Sequence, residues 1–218
     1  VSDQRTDAWF ADRAGKITAS RMHDVVLERD REPFKSGPRK GQPKPPPKAL
    51  TDYAYQLAAE RLTGKPRKQV KAAALQWGQD VEPAALAAYQ AETGSIVTLC
   101  GFVTHPDYPF IGASPDFLEG EDEGGEIKSP ESSEVHLETL LTGLPREHIE
   151  QIQGGLWVTG RKRWKFISYH PDFRPELRLY IEVVERDEAF IAKLESACLQ
   201  LHAEVCAIVN EANNRRAA

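Results

Sequence analysis

The sequence predicts a mixed α/β (or α+β) fold, a central mixed β-sheet flanked by helices, and three observations carry that prediction. Helix-period segments dominate the first ninety or so residues. Short runs rich in β-branched and aromatic residues then follow, with one helix-period segment, "EHIEQIQGGLWVTG", between them. A long amphipathic segment closes the chain, so helices stand before, within and after the strands. At 218 residues the chain is long enough for one sizeable core and short for two, so residues 1–218 are expected to form one domain.

Taken in order, Asp3 to Ala14 has amphipathic helical spacing, and "KITASRMHDVVLE" opens a second helix behind Thr18 and Ser20, both good capping residues. From Arg29 to Lys48, "RDREPFKSGPRKGQPKPPPK" carries six prolines and a surplus of cations. That composition excludes regular structure and marks a Pro/Lys-rich loop or lid at about 29–48. Two helices follow, Leu50 to Leu62 and Val70 to Glu92, the second expected to break around Gly78 and Pro83. "SIVTLCGFVTHP", "FIGASPDFLEG" and "GGEIKSP" read as strands, with "EGEDEGG" turning the last two into a hairpin. In "EHIEQIQGGLWVTG" Ile149, Ile152 and Leu156 share one helical face. "RWKFISYHP" and "ELRLYIEVVE" are two further strands. The closing helix from Asp187 is expected to turn Phe190, Leu194, Cys198 and Leu199 inward.

No apolar run approaches the roughly 20 residues of a membrane span, and "VSDQRTDAWFADRAGK" lacks the apolar core of a secretory leader. A membrane partner is therefore not expected. The three cysteines are irregularly spaced and lack C-x-x-C pairs, which argues for reduced thiols in a cytoplasmic protein over a zinc site or disulfide framework. The net charge of −5 is segregated: Arg61 to Lys71 holds five cations, Arg161 to Lys165 holds four, and Asp116 to Glu126 holds six acids. Basic runs are usually solvated faces; here they are also candidates for tracking a polyanion, leaving the acids to hold cations.

The chemistry is concentrated in "GASPDFLEGEDEGGEIKSP". Glu126 and Lys128 are two apart on a strand, so their side chains leave the same face. A hairpin partner bearing Asp116 brings a second carboxylate alongside. Hard divalent cations such as Mg²⁺ take oxygen ligands of this kind, and Asp116, Glu126 and the backbone carbonyl of Ile127 supply a set. Lys128 would orient water or stabilise charge on a phosphoryl oxygen, which is the layout of metal-assisted phosphodiester hydrolysis. A carboxylate and an ammonium facing inward from an apolar strand need such a reason, because unpaired buried charge is costly.

"SPD" followed by "EIK" resembles the PD-(D/E)XK restriction-endonuclease-like core, and more closely its lambda-exonuclease branch, the YqaJ-like viral recombinases. "GKITAS" with Arg13 ahead of it, "ALQWGQDVEPAALAAY", "QIQGGLWVT" and "YIEVVERDE" are similar to that branch in order and spacing, so the likeness spans nearly the whole chain. The resemblance implies Asp116 and Glu126 as metal ligands, Lys128 as the catalytic lysine, and Glu82 as an acid reaching the metal directly or through water. It implies Gln151 as the amide beside the site; Gln153 is rotated about 200° away on an ideal helix. Arg13 and Ser20 match the family's pocket for a terminal 5′-phosphate. Leu75 matches an apolar wedge that helps part the duplex, core packing being its ordinary alternative.

What the resemblance implies as a whole is a Mg²⁺-dependent, processive 5′→3′ exonuclease on double-stranded DNA ends, with Mn²⁺ as a possible substitute, releasing mononucleotides and leaving 3′ single-stranded tails. It further implies a homotrimeric ring, a single-strand annealing protein as partner, and a phage- or prophage-encoded protein acting in the cytoplasm of a bacterial host. A structure-specific or restriction-type endonuclease with the same core, or a non-catalytic DNA-binding module, are the alternatives that the sequence leaves open.

Overall fold

A computed structural model describes residues 4–26, 33–42, 44–67 and 73–215, with the backbone alone for 73–75. The N-terminal part comprises α1 (Asp7–Arg13), the two-residue strand β1 (Ile17–Thr18), a 3₁₀ turn (Ala19–Arg21) and α2 (Met22–Val26). Then come α3 (Lys48–Thr63) and α4 (Ala73–Thr93). The strands are β2 (Val97–Thr98), β3 (Val103–Thr104), β4 (Ile111–Ala113), β5 (Phe117–Glu119) and β6 (Glu123–Lys128). Helices α5 (Ser133–Thr142) and α6 (Ile149–Thr159) precede β7 (Arg163–Tyr169), β8 (Leu179–Glu185) and α7 (Glu188–Asn214).

The strands form a five-stranded mixed sheet, ordered β2-β5-β6-β7-β8, and a three-stranded one, ordered β1-β4-β3. The β5–β6 hairpin is antiparallel and β6 runs parallel to β7, with α5 and α6 in the connection. Register then decides what each face of the large sheet carries. Gly124, Glu126 and Lys128 pair with Trp164, Phe166 and Ser168. Side chains alternate along strands, so all six belong to one face. That face receives α6, where Ile152 and Leu156 cluster with Trp164 and Phe166. The opposite face, with Phe117, Ile127, Ile167 and Tyr169, receives Ala85 and Tyr89 of α4. The largest cluster lies on the far side of α6, where Trp157 and Val158 meet α2, α3, α7 and the small sheet. Helix α6 is thus packed on both sides, which fixes the position of every side chain it presents.

Four expectations are corrected by this architecture. "FIGASPDFLEG" is two strands in different sheets, divided at Ser114-Pro115-Asp116; Pro115 has no N–H to continue a ladder. Helix α4 runs unbroken through Gly78 with Pro83 inside it. Its apolar side lies on the sheet, and that burial outweighs the roughly 3 kcal/mol that an interior proline costs. Leu199 is 39% exposed, and the inward face of α7 is Ile191, Leu194, Cys198, Leu201 and Val205. The Thr18 and Ser20 hydroxyls cap nothing: the 3₁₀ turn has no side-chain cap bond, and the two hydroxyls lie 3.3 Å from each other.

The described part of the Pro/Lys-rich segment is irregular but tied to itself, Gly41 N donating to Phe34 O at 2.9 Å and Phe34 N to Gln42 O at 3.1 Å. The basic run at 161–165 is turned onto the acidic hairpin. Arg161 donates to the carbonyls of Gly120 and Glu123, Lys162 pairs with Asp122, and Arg163 and Lys165 both pair with Glu123. The run is thus held against the hairpin, four cations meeting two carboxylates and backbone carbonyls, where the sequence suggested a free basic stretch.

Two glycines of β6 are present because aromatic rings lie on them. A Cβ on Gly125 would stand 2.1 Å from Phe117, and one on Gly124 2.4 Å from Trp164. Overpacking of this kind costs about 1–3 kcal/mol. Gly125→Ala is therefore expected to lower the midpoint of thermal unfolding by roughly 2–12 °C for a chain of this length, measurable by calorimetry. An unchanged midpoint would mean that Phe117 is free to move. Gly154 and Gly155 of α6 serve packing in the same way, against Met22 and Trp164.

Candidate active site

The break between β4 and β5 is where the site begins. Phe117 pairs with Gly125, so the antiparallel register carried one residue back places Asp116 opposite Glu126. Asp116 N donates to Gly125 O at 3.0 Å, and its Oδ2 accepts from Ile127 N at 2.6 Å. The carboxylate thus ends the hairpin ladder and is anchored to the residue between Glu126 and Lys128. On the α6 face, Lys128 Nζ donates to Glu126 Oε1 at 2.8 Å and to Gln151 Oε1 at 3.1 Å, and Gln151 Nε2 donates to the same Glu126 Oε1 at 2.5 Å. Glu126, Lys128 and Gln151 close a triangle of hydrogen bonds. Gln153 points elsewhere: it donates to Glu185 O and accepts from Asp187 N, joining β8 to α7.

Electrostatics adds Glu82 of α4 to this group. The Asp116 pKa is raised well above the ordinary carboxylate range, first by burial, then by the charges of Glu126 and Glu82; the Ile127 N–H and Lys128 only partly oppose this. Burial works against the Lys128 ammonium, but Glu126, Asp116 and Glu82 together outweigh it and hold its pKa above that of an ordinary lysine. Three acids therefore act on one another around a single lysine. Glu82 is itself ion-paired with Arg5. His148, at the entry to α6 and stacked on Phe166, is pushed down to about 4 by burial and by Lys128, so it is uncharged at neutral pH.

Among the described residues, no three His, Cys, Asp or Glu side chains are already gathered closely enough to cage a metal ion. The chemistry of the donor set nevertheless fits a hard divalent cation. It is all oxygen, it is short of positive charge, and Asp116 carries the repulsion that a cation would relieve.

Next to these groups is a cavity of about 370 Å³ lined by Arg13, Lys16, Thr18, Ser20, Arg21, Tyr53 and Arg67 among others. A narrow cleft of about 30 Å³ shares Arg13 and Ser20 with it and continues to Ser114, Glu126 and Gln151. Arg13 is held by a 2.9 Å bond to Ser114 Oγ and by stacking 4.2 Å over the Trp9 ring. Burial pulls its pKa down, opposed by the charges of Tyr53, Glu126 and Glu60. Arg21 lies 4.3 Å over the Tyr53 ring. Leu75, expected as a wedge, falls outside the residues whose side chains are described; two positions on, Trp77 Nε1 donates to Pro130 O just past β6.

Sequence reasoning missed Ser114, Arg5 and Arg21. Ser114 accepts from Trp9 and Arg13 and so locks α1 against the break before Asp116. Its only signal was its place in "SPD". Nothing in the spacing of Arg5 marks it, because Glu82 lies 77 positions away; Arg21 has a local partner in Asp24 at 2.6 Å, but the Tyr53 ring that places it at the cavity lies 32 positions away.

The arrangement defines a mixed α/β protein with a carboxylate–lysine–amide centre on the central strand of the larger sheet, beside the break between β4 and β5. A family model for the YqaJ-like viral recombinase domain matches residues 8–162, and the chain belongs to that family. The structure is similar to that of an alkaline exonuclease, LHK-Exo, from Laribacter hongkongensis, at 35% identity and TM-score 0.83, covering 97% of this chain and 98% of that one. The same exonuclease in complex with dAMP matches at 36% identity, the same TM-score and the same coverage. A phage-related exonuclease from Haemophilus somnus 129PT shares the fold at 13% identity and TM-score 0.67, over 90% of this chain and 96% of that one. A search of curated protein sequences returns no match.

Proposed function

We propose that this protein is a nuclease, and specifically a Mg²⁺-dependent exonuclease that digests one strand of double-stranded DNA from a 5′ end, releases 5′-mononucleotides and leaves a 3′ single-stranded tail. The observation that carries the reading is the closed Glu126–Lys128–Gln151 network with Asp116 across the hairpin, reached by a cleft from a cation-lined cavity. Family membership and the exonuclease relatives support the same reaction class.

Asp116, Glu126, the Ile127 carbonyl and Glu82 would hold the cation. When bound, it would polarise the scissile phosphate and lower the pKa of water. The chain's own residues account for the rest. Lys128 is kept protonated by its acidic neighbours, so it is a standing donor to charge that develops on phosphoryl oxygens. Gln151 has both amide atoms engaged and holds Glu126 and Lys128 in a fixed relation. Arg13, held rigidly by Trp9 and Ser114, offers a bidentate fork to a terminal 5′-phosphate, with Ser20 as a hydroxyl partner. Leu75 remains our candidate for the wedge. A homotrimeric ring, a partner that anneals the exposed single strand, and a phage-borne role in a bacterial cytoplasm complete the proposal. Among the described residues no helix is long and apolar enough to cross a membrane.

End-labelled linear duplex with Mg²⁺ or EDTA tests the reading directly. Mononucleotides are expected from the 5′-labelled strand with Mg²⁺ alone, with no nicking of covalently closed circles. Cleavage of an intact circle would favour an endonuclease. A 5′-hydroxyl end is expected to be degraded about tenfold more slowly than a 5′-phosphate, the equivalent of about 1.4 kcal/mol of lost binding, and Arg13→Ala should narrow that gap.

A further inference from the structure

Residues 4–6, the lead-in to α1, have no part in the mechanism above, yet they are fastened to the site at successive positions. Gln4 Nε2 donates to Pro115 O at 2.7 Å and to Cys100 O at 2.9 Å, gripping the residue before Asp116. Thr6 Oγ1 accepts from Trp9 N at 3.2 Å and starts α1. Between these anchors Arg5 has φ 67°, the one non-glycine residue in the left-handed region among the described residues. That conformation is disfavoured for an arginine, whose Cβ crowds the following carbonyl oxygen, and conformations of this sort persist where the surroundings impose them. Here the backbone sends the guanidinium to Glu82, with which it forms an ion pair; the two side chains are 39% and 26% exposed.

Glu82 is the acid whose charge acts on both Asp116 and Lys128. Of its companions, Glu126 is paired with Lys128 and Asp116 is met by a backbone N–H. The guanidinium of Arg5 thus joins Lys128 as a side-chain cation in direct contact with the acidic trio. It sits on the carboxylate that, on the nuclease reading, also serves the divalent metal. Two cations cannot both take full advantage of one carboxylate, since each repels the other at contact range.

We propose that Arg5 is a placeholder cation for Glu82: it neutralises that carboxylate while no metal is bound and gives it up when a divalent ion enters. This rests on the metal-dependent nuclease reading and adds a positioning residue to it. The consequence is competition. Arg5 stabilises the metal-free site and weakens its apparent affinity for the ion by the free energy of the pair that must be broken.

Calorimetric titration of MgCl₂ into the full chain, without DNA, tests this, using the parent, Arg5→Gln, Glu82→Gln and the double variant. Arg5→Gln is expected to bind Mg²⁺ about fivefold more tightly, the equivalent of about 1 kcal/mol for a partly exposed pair. In EDTA its unfolding midpoint should fall by about 2–4 °C, and saturating Mg²⁺ should close that gap. In the Glu82→Gln background the effect of Arg5→Gln on Mg²⁺ affinity should vanish. Equal or weaker binding by Arg5→Gln, in a parent that does bind Mg²⁺, overturns the placeholder role and leaves the nuclease reading intact. An affinity gain that persists without Glu82 overturns it also, because the coupling would not run through that carboxylate. A parent with neither Mg²⁺ heat nor a Mg²⁺-dependent rise in midpoint overturns both.

Discussion

Asp116→Asn is expected to abolish hydrolysis and, in EDTA, to make the protein more stable. The rate should fall by about 10³-fold or more, because a ligand to the catalytic cation is lost together with its charge. The stability gain follows from the direction of the Asp116 shift. Burial, Glu126 and Glu82 raise its pKa in the folded chain, so the folded state binds that proton more tightly than the unfolded one. The carboxyl costs nothing below the ordinary aspartate pKa of about 3.9, and the folded state loses stability as pH rises from there to the higher folded value. Above that window the ionised group is a standing penalty. Asparagine is neutral throughout and can still present an oxygen to the Ile127 N–H, which Asp116 meets at 2.6 Å.

The unfolding midpoint of Asp116→Asn in EDTA at neutral pH should therefore lie above that of the parent by at least about 2–4 °C, the equivalent of about 1 kcal/mol. Mg²⁺ should raise the parent and not the variant. Calorimetry across pH 4 to 8 with and without Mg²⁺ separates these effects. A variant less stable than the parent in EDTA would mean that the carboxylates do not repel as the geometry requires, and one that keeps half its activity would remove Asp116 from the ligand set.

Much of this centre was legible because the relevant geometry is local. Two residues apart on a strand means one face, and that was enough to join Glu126 to Lys128. The family resemblance singled out Gln151, which reaches Lys128, and the helical repeat turned Gln153 away from it, to the junction of β8 and α7. Strands β7 and β8 and helix α7 lie within the ranges that their composition predicts. What escaped depends on contacts far apart in sequence. Whether α4 breaks at Pro83 is decided by the sheet beneath it, since Ala85 and Tyr89 are buried there. How "RKRWK" is held is decided by an acidic hairpin some 40 positions earlier. The division at Ser114-Pro115 is of the same kind: each half of "FIGASPDFLEG" has strand character, and only the competing partners, β1 and β3 for one and β2 and β6 for the other, pull them into separate sheets. Arg5 is the extreme case, a residue whose role is set by a backbone angle and by a carboxylate 77 positions away.

Lys128→Met should produce the opposite thermal signature while also stopping the reaction. Methionine keeps much of the apolar stem and deletes the charge, so Glu126 loses its ion-pair partner and Gln151 loses a donor. A hydrogen bond to a charged group is worth about 2 kcal/mol, which predicts an unfolding midpoint in EDTA lower by roughly 4–8 °C. The sign with pH also differs from that of Asp116. The folded Lys128 pKa is raised, so its stabilisation is complete below the ordinary lysine value of about 10.4 and is lost only as pH climbs through the higher folded value. The gap between parent and variant should accordingly stay constant across the neutral range and close only in strong alkali. On the reaction, the turnover number is expected to drop by about 10²–10³-fold with little change in KM for duplex ends, since a donor to developing phosphoryl charge acts in the transition state more than in binding. A loss confined to KM would assign Lys128 to DNA binding instead. Undiminished turnover would leave the triangle of Glu126, Lys128 and Gln151 as a piece of structural scaffolding, and hydrolysis would have to be sought elsewhere on the chain.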